Sequence, residues 1–469
     1  MSIQPVLLWS DVLLFVLMAS IGGLSLWARR QDALRAAWAR VARNPVAMSA
    51  ATVLAAFVLI GLLDSVHYRA RLPAQPGAET RYSVEVNSAL DAVLADLRQR
   101  AEKTYSAPLA THLFAKEALE NSAQREFPRL KFGGAHLGAD LAAHEFDIAV
   151  RVSRGCAAGM LLWLLMASLW CRLADLELIA TLKQLREGNQ GSGAGNPATG
   201  AVFVTLLGIL LLLGIAISLG GGYHVFGTDK VGQDVLYLSL KSIRTGLLIG
   251  TLTTLVMLPL AVLLGILAGY VGGWVDDLIQ YLYTTLSSIP GVLLIAAAVL
   301  MMQVIIDTHP QWFATAAERA DVRLLALCLI LGMTSWTGLC RVLRGETLKL
   351  AQLDYIQAAH AFGVAHSRIV RRHLLPNLMH IVLIAVVMDF SGLVLAEAVL
   401  SYVGIGVDAS TISFGTMINN ARMELAREPA VWWSLLAAFS FMFVLVLAAN
   451  LFADAVRDAF DPRVAGSHD

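Results

Sequence analysis

Nine stretches of this chain are each apolar for about the length a helix needs to cross a bilayer, and no other feature narrows its fold as much. They lie near residues 6–27, 46–63, 156–173, 201–220, 246–270, 283–305, 324–340, 380–400 and 431–452. A hydrocarbon core about 30 Å thick takes about 20 helical residues, and a backbone inside it must satisfy its own N–H and C=O groups. The expectation is an all-α polytopic membrane protein with about nine transmembrane helices. Composition agrees: the chain is 57% hydrophobic and only 15% charged, against about 25% charged in a soluble domain. Its formal net charge is zero, which argues against nucleic acid as a partner. Cys156, Cys171, Cys328 and Cys340 sit in or beside apolar stretches without metal-ligand spacing, and read as buried thiols.

Basic residues in the short loops set the expected sidedness. Between the first two spans stand Arg29, Arg30, Arg35, Arg40 and Arg43 against Asp32; between the seventh and eighth stand Arg341, Arg344, Lys349, Arg368, Arg371 and Arg372. With nine spans both loops face the cytoplasm, the N-terminus lies outside and the C-terminus inside. "VGGWVDDLIQ", also inside, has two aspartates and no base. The start "MSIQPVLLWSD" has neither a basic n-region nor a small-residue cleavage site and reads as a retained first span.

Two polar pieces interrupt the spans. Residues 65–155 form an extracytoplasmic segment with helical periodicity around "LDAVLADLRQRAEKTY" and turns at "PAQPG" and "FGG". Residues 174–200, ending in "GNQGSGAGNP", form a flexible cytoplasmic linker. A boundary near 200 divides a three-span module, 1–200, from a six-span core, 201–469. His112, His136 and His144 have no ligand-like spacing, so no metal site is expected.

The stretch "DYIQAAHAFGVAHSRIVRRHLLPN", 354–377, predicts two short helices, Asp354 to Phe362 and Ser367 to Leu375, on either side of Gly363. Glycine suits the left-handed residue that ends the first, Ser367 is placed to cap the second, and Pro376 marks the passage into span eight. Ala358 and Ala359 leave a face that another protein can approach closely. A basic amphipathic loop resting on anionic membrane lipid accounts for the same spacing.

The stretch resembles the EAA loop of permease subunits of binding-protein-dependent ABC importers, E-A-A-x3-G-x9-I-x-L-P. Ala358, Ala359, Gly363, Leu375 and Pro376 match, Gln357 replaces the glutamate, and His373 stands at the isoleucine. "FGTDKVGQDVL" (226–236) resembles the G-T-D-x-x-G-R-D-V segment of C-type permease subunits of the oligopeptide/dipeptide/nickel group, with Gly227, Thr228, Asp229, Gly232 and Asp234 in place and Gln233 at the arginine. "LAGYVGGWVDDLIQ", "SSIPGVLLIA", "AEAVLSYVGIGV", "SFGTMI" and "ADAVRDAFDPR" follow in the same order, so the likeness covers about 200–463. It implies half of a translocation path in a bacterial inner (cytoplasmic) membrane. A B-type permease would pair with this chain, and an extracytoplasmic binding protein would deliver substrate. Two ABC ATPase subunits would carry ATP and Mg, one of them docking on a coupling helix of the 350–377 loop, where Asp354, Arg368 and Arg371 complete the charged rim. The substrate would be a peptide, with nickel or another small solute as the alternative. The three-span module has no counterpart in that group.

No lysine follows a glycine, so the chain lacks a P-loop; HExxH and GxSxG are absent too. The expectation is a transport subunit without cofactor or enzymatic activity of its own. Asp389 is an acid well inside a span, either lining the path or hydrogen-bonded within the bundle. As a proton or cation site it would suit a secondary transporter, the reading from a different class. A third reading makes 65–155 the active part of a membrane scaffold or sensor. The resemblance implies that Glu397 and Gly404 help shape the outer gate, and Pro259 and Pro290 are expected to kink spans five and six, which suits a path-lining role as well as plain packing.

Overall fold

A computed structural model describes residues 4–28, 32–71, 82–118, 125–138, 143–173, 197–313, 315–408 and 410–460. Its helices are α1 (Trp9–Ala28), α2 (Asp32–Arg43), α3 (Pro45–Asp64), α4 (Ala89–Val93), α5 (Ala95–Gln99), α6 (His144–Leu173), α7 (Pro197–Gly220) and α8 (Val235–Val271). After these come α9 (Gly273–Ser288), α10 (Gly291–Thr308), α11 (Ala316–Ala351), α12 (Asp354–Ala361), α13 (His366–Ile369), α14 (Leu375–Val403), α15 (Phe414–Arg422) and α16 (Trp433–Phe460). Strands are few and short: β1 (Gln4–Val6), β2 (His67–Arg69) and β3 (Asn87–Ser88) form one antiparallel sheet, and β4 (Glu117–Ala118) pairs with β5 (Arg125–Glu126).

Among the described residues, eight helices are long and apolar enough to cross a membrane, so the chain is a multi-pass, mostly helical membrane protein. They correspond to eight of the nine expected spans. The first expected span coincides with the helix α1, Trp9–Ala28, of which Trp9–Gly23 counts as a shorter apolar helix among the described residues. Another difference lies at Pro290. It does not kink a span but begins one: Ile289 is extended (φ −89°, ψ 131°) and Pro290 is the N-cap of α10. The proline ring crowds the residue before it out of helical geometry, so residues 273–288 form the separate helix α9. Pro259, by contrast, lies within α8 without ending it.

Some charges are paired across helices. Arg344 of α11 grips Asp276 of α9 through two bonds of 2.5 and 2.6 Å, which holds that carboxyl below its ordinary range and neutralises the acid in "GGWVDD". Some helix starts are capped by side chains: Asn44 accepts from the N–H groups of Val46 and Ala47, and Thr315 from that of Glu318. The interspan segment is less helical than its periodicity suggested. The helical run breaks after Leu94 and stops at Gln99, because hydrogen bonds to the rest of the fold set its course. The linker up to residue 196 and "PAQPG" lie outside the described residues, as does the side chain of Cys171.

The chain falls into two compact units. The first joins 1–6, 33–244 and 412–455; the second joins 7–32, 245–411 and 456–469. In the first, α6 and α7 meet backbone to backbone. A Cβ on Gly155 would lie 2.6 Å from the Gly214 carbonyl oxygen, and one on Gly159 would lie 2.5 Å from that of Leu210. In the second, a core of Met257, Ala261, Leu339, Leu343, Leu378 and their neighbours joins α8, α9, α11 and α14. There Gly265 and Gly269 let α8 approach the backbone of α11 at Cys340 and Arg344. Small residues serve this purpose in lipid, where tails compete with side chains and only close backbone contact gains dispersion energy.

This packing makes a direct prediction. Gly159→Leu, forced against the α7 backbone, should cost about 1–3 kcal/mol and lower the thermal unfolding midpoint in detergent. Gly208→Leu, where a Cβ meets nothing within 4 Å, should leave it unchanged. Equal midpoints for the two variants would refute the close-contact account.

Candidate functional site

The 354–377 stretch folds as a compact knob. Helix α12 ends in a full Schellman arrangement: the Gly363 N–H donates to His360 O at 3.0 Å, and the Val364 N–H donates to Ala359 O at 3.1 Å. Gly363 has φ +73° and open space around its missing Cβ, so backbone conformation rather than room demands glycine there. Ile356, Ile369 and Leu374 are buried together and form the knob's own core, with Tyr270, Leu350 and Val364 against them.

The second half differs from expectation. Ala365, not Ser367, is the N-cap of α13, because the turn after Gly363 places the extended residue two positions earlier; no side chain caps that end. From His366 the helix runs through a single π-helical turn, Val370–Leu374, directly into α14, so His366–Val403 is one span candidate. Pro376 cannot donate to the carbonyl one turn earlier, and its ring needs space there. The wider π turn immediately before it accommodates both.

Outside that core the knob offers a surface. Asp354, Gln357, Ala358, Arg368, Arg371 and Pro376 are exposed, Ala359 and Leu375 half-buried. Asp354 lies in the first turn of α12, where a carboxylate opposes the helix dipole favourably. Gln357 donates to Gln352 O at 3.2 Å. Sequence reasoning missed the apolar members: Phe362 is 85% exposed, with Leu353 and Tyr355 also open. The signal was present, since so short a helix cannot bury every large apolar residue it carries. Beside the knob lies a cavity of about 940 Å³, lined by Tyr270, Ile356, Gln357, His360, His366 and Arg371 among others.

The 227–234 segment is a tight turn. Gly227 (φ +70°) and Gly232 (φ +76°) occupy left-handed positions, and Thr228 bridges to Asp234. The Asp229 carboxylate accepts from the N–H groups of Val231 and Gln233, whose side chain is exposed. Asp234 accepts from those of Leu236 and Tyr237 and so caps α8.

The other expected residues stand apart from the knob. Glu397 is buried and accepts from the Ser401 hydroxyl at 2.7 Å. Gly404 ends α14 in the left-handed conformation. Asp389 is half-buried, and among the described residues its carboxylate has no hydrogen-bond or ion-pair partner.

Comparison with known proteins follows this geometry. The family model "Binding-protein-dependent transport system inner membrane component" matches residues 261–466, which include the knob. The oligopeptide transport system permease protein of Mycobacterium bovis is 29% identical over 242 residues, 52% of this chain and 77% of that one. The dipeptide transport system permease protein of Bacillus subtilis is 28% identical over 241 residues, 51% of this chain and 69% of that one. The glutathione transport system permease protein of Pectobacterium atrosepticum is 31% identical over 243 residues, 51% of this chain and 73% of that one. The chain belongs to the family of binding-protein-dependent transport inner membrane components and is a multi-pass permease.

Proposed function

We propose that this chain is one permease subunit of an ATP-driven importer of peptides. A second, homologous permease completes the path, two ATPase subunits dock on the cytoplasmic side, and an extracytoplasmic binding protein delivers substrate. ATP and Mg belong to the ATPases, since this chain has no P-loop. The N-terminus lies outside the bacterial inner membrane and the C-terminus within the cell. The names of the relatives support the cargo, because oligopeptides, dipeptides and glutathione all present peptide backbones.

The observation that carries the coupling is the knob. Its internal core keeps it rigid, Phe362 stands clear at the end of α12, and the π turn joins it to α14 without a flexible link. A push from a docked ATPase therefore reaches α14 as rigid motion. ATP binding closes the ATPases and turns the path outward, and hydrolysis resets it.

A mild-detergent pull-down of the tagged chain should recover a second permease and P-loop ATPases; a chain recovered alone would overturn the reading. Gly363→Val should insert normally yet lower uptake about tenfold, because a non-glycine residue in the left-handed conformation costs about 1–2 kcal/mol and the Schellman end is lost. Aspartate tolerates that conformation better than valine, so valine is the sharper probe, and normal uptake by it would count against the knob. Phe362→Asp should weaken ATPase recovery, and unchanged recovery would remove Phe362 from the docking surface.

A second reading rests on the partnerless Asp389: a secondary transporter with that carboxylate as its cation site. It requires uptake that survives loss of every ATPase and collapses with an uncoupler. The importer reading requires the reverse.

A further inference from the structure

The turn 227–234 is gripped by the interspan segment. The Thr228 hydroxyl accepts from the Ser106 N–H at 2.7 Å and donates to Thr104 O at 2.8 Å. The Glu102 N–H donates to Gly232 O at 2.9 Å, and the Leu109 N–H to His224 O at 2.9 Å. The fit leaves no room for side chains: a Cβ on Gly232 would lie 1.9 Å from Glu102 O, and one on Gly227 would lie 2.3 Å from Ser106 O.

At the centre is a buried triad. His224 Nδ1 stands 2.8 Å from the Asp234 carboxylate, and Nε2 stands 3.4 Å from that of Glu102. The histidine and glutamate side chains are each only 3% exposed, and the aspartate is fully buried. Glu102 also accepts the N–H groups of Lys131, Phe132 and Gly133. These two carboxylates are the titratable groups on the His224 ring. Neighbouring Tyr223 turns instead to Asp147, His136 and His144.

We propose that Glu102 is a positioning residue for transport: acting through His224 and Asp234, it fixes the Gly227–Asp234 turn and with it the first turn of α8. Tyr270, near the other end of the same helix, hydrogen-bonds His366 of the knob at 2.9 Å. The inference rests on the importer reading and assigns the interspan segment a part in it.

Charge gives the proposal a signature that a purely structural contact lacks. Burial alone would lower the His224 pKa, but the hydrogen bond to Asp234 and the charges of Asp234 and Glu102 outweigh it and raise it to about 9. Burial would raise Glu102, yet His224 and the three backbone N–H groups hold it at about 2. A raised histidine stabilises fully below its ordinary value, near 6.5, and that contribution is lost as pH rises through about 9. A depressed glutamate stabilises above its ordinary value, 4.5, and loses that only as pH falls through about 2. His224 and Glu102 therefore both keep their charges between pH 5 and 8.

The test is uptake into vesicles by the assembled transporter between pH 5.5 and 8, each variant taken as a ratio to wild type. Glu102→Gln preserves an acceptor oxygen but removes one countercharge, so the His224 pKa should fall from about 9 toward this window. The ratio should stay near one at pH 5.5 and fall about threefold or more by pH 8. Glu102→Asp, which keeps the charge, should give a ratio independent of pH. Adding His224→Asn to Glu102→Gln should abolish the slope. A ratio for Glu102→Gln that is the same at every pH, reduced or not, overturns the proposal. If Glu102→Gln does not assemble, Gly232→Ala takes its place: its Cβ pushes the turn off Glu102, so uptake should fall while the complex is still recovered, and wild-type uptake overturns the proposal. Absence of ATP-dependent uptake by the wild-type chain would instead strike the importer reading itself.

Discussion

A bilayer offers the backbone no water, so every N–H and C=O within it must pair inside its own helix. The rest of this structure answers to that constraint. It sets the span lengths and confines irregular backbone to interspan stretches. It also makes each helix end a place where particular residues are needed. Asn44, Thr315 and Asp234 close N-termini with side-chain oxygens, Pro290 starts a helix where no N–H is needed, and Gly363 and Gly404 close C-termini in left-handed geometry.

Charges obey a related rule, since an unpaired ion away from water is costly. Lys241 in α8 lies 2.8 Å from Asp91 and 3.2 Å from Asp64, and Tyr237 donates to Asp91. Burial would raise the Asp91 carboxyl, but Lys241 outweighs it and holds it at about 2. Removing one partner of such a buried pair typically costs about 3–5 kcal/mol. These pairs join the interspan segment to the start of α8. The segment is thereby tied to the permease at Lys241, at the His224 triad and at Trp433, whose indole N–H donates to Thr228 O at 3.0 Å.

The knob and the gripped turn use opposite means. The knob keeps its apolar core small and leaves Phe362 and Tyr355 exposed. The turn hides its charges and polar backbone among residues of the same chain. The first leaves apolar surface open, whereas the second is closed within this chain.

Much of this was legible in the sequence. Span positions follow from hydropathy alone, because hydrocarbon sorts residues by transfer free energy without reference to neighbours. Gly363 was readable as a helix terminator for an equally local reason. Gly155/Gly159 and Gly265/Gly269 have G-x-x-x-G spacing, a signal that sequence reasoning missed and that cannot say which helix each pair meets. What depends on contacts between distant residues stayed hidden. Glu102, an ordinary acid in a polar run, meets His224, which lies 122 positions further along the chain, only once the chain between them has folded. Ser367 lost the capping position to a turn geometry no propensity encodes, and Pro290 became a helix start because its neighbour was driven extended. The sequence by itself determined that this chain crosses a membrane, roughly where, and where the knob's first helix ends, because those are local balances of transfer energy and backbone conformation. Only the tertiary structure decided which charges are paired, which glycines touch and which apolar residues stay exposed, because each of those is a property of two surfaces rather than one.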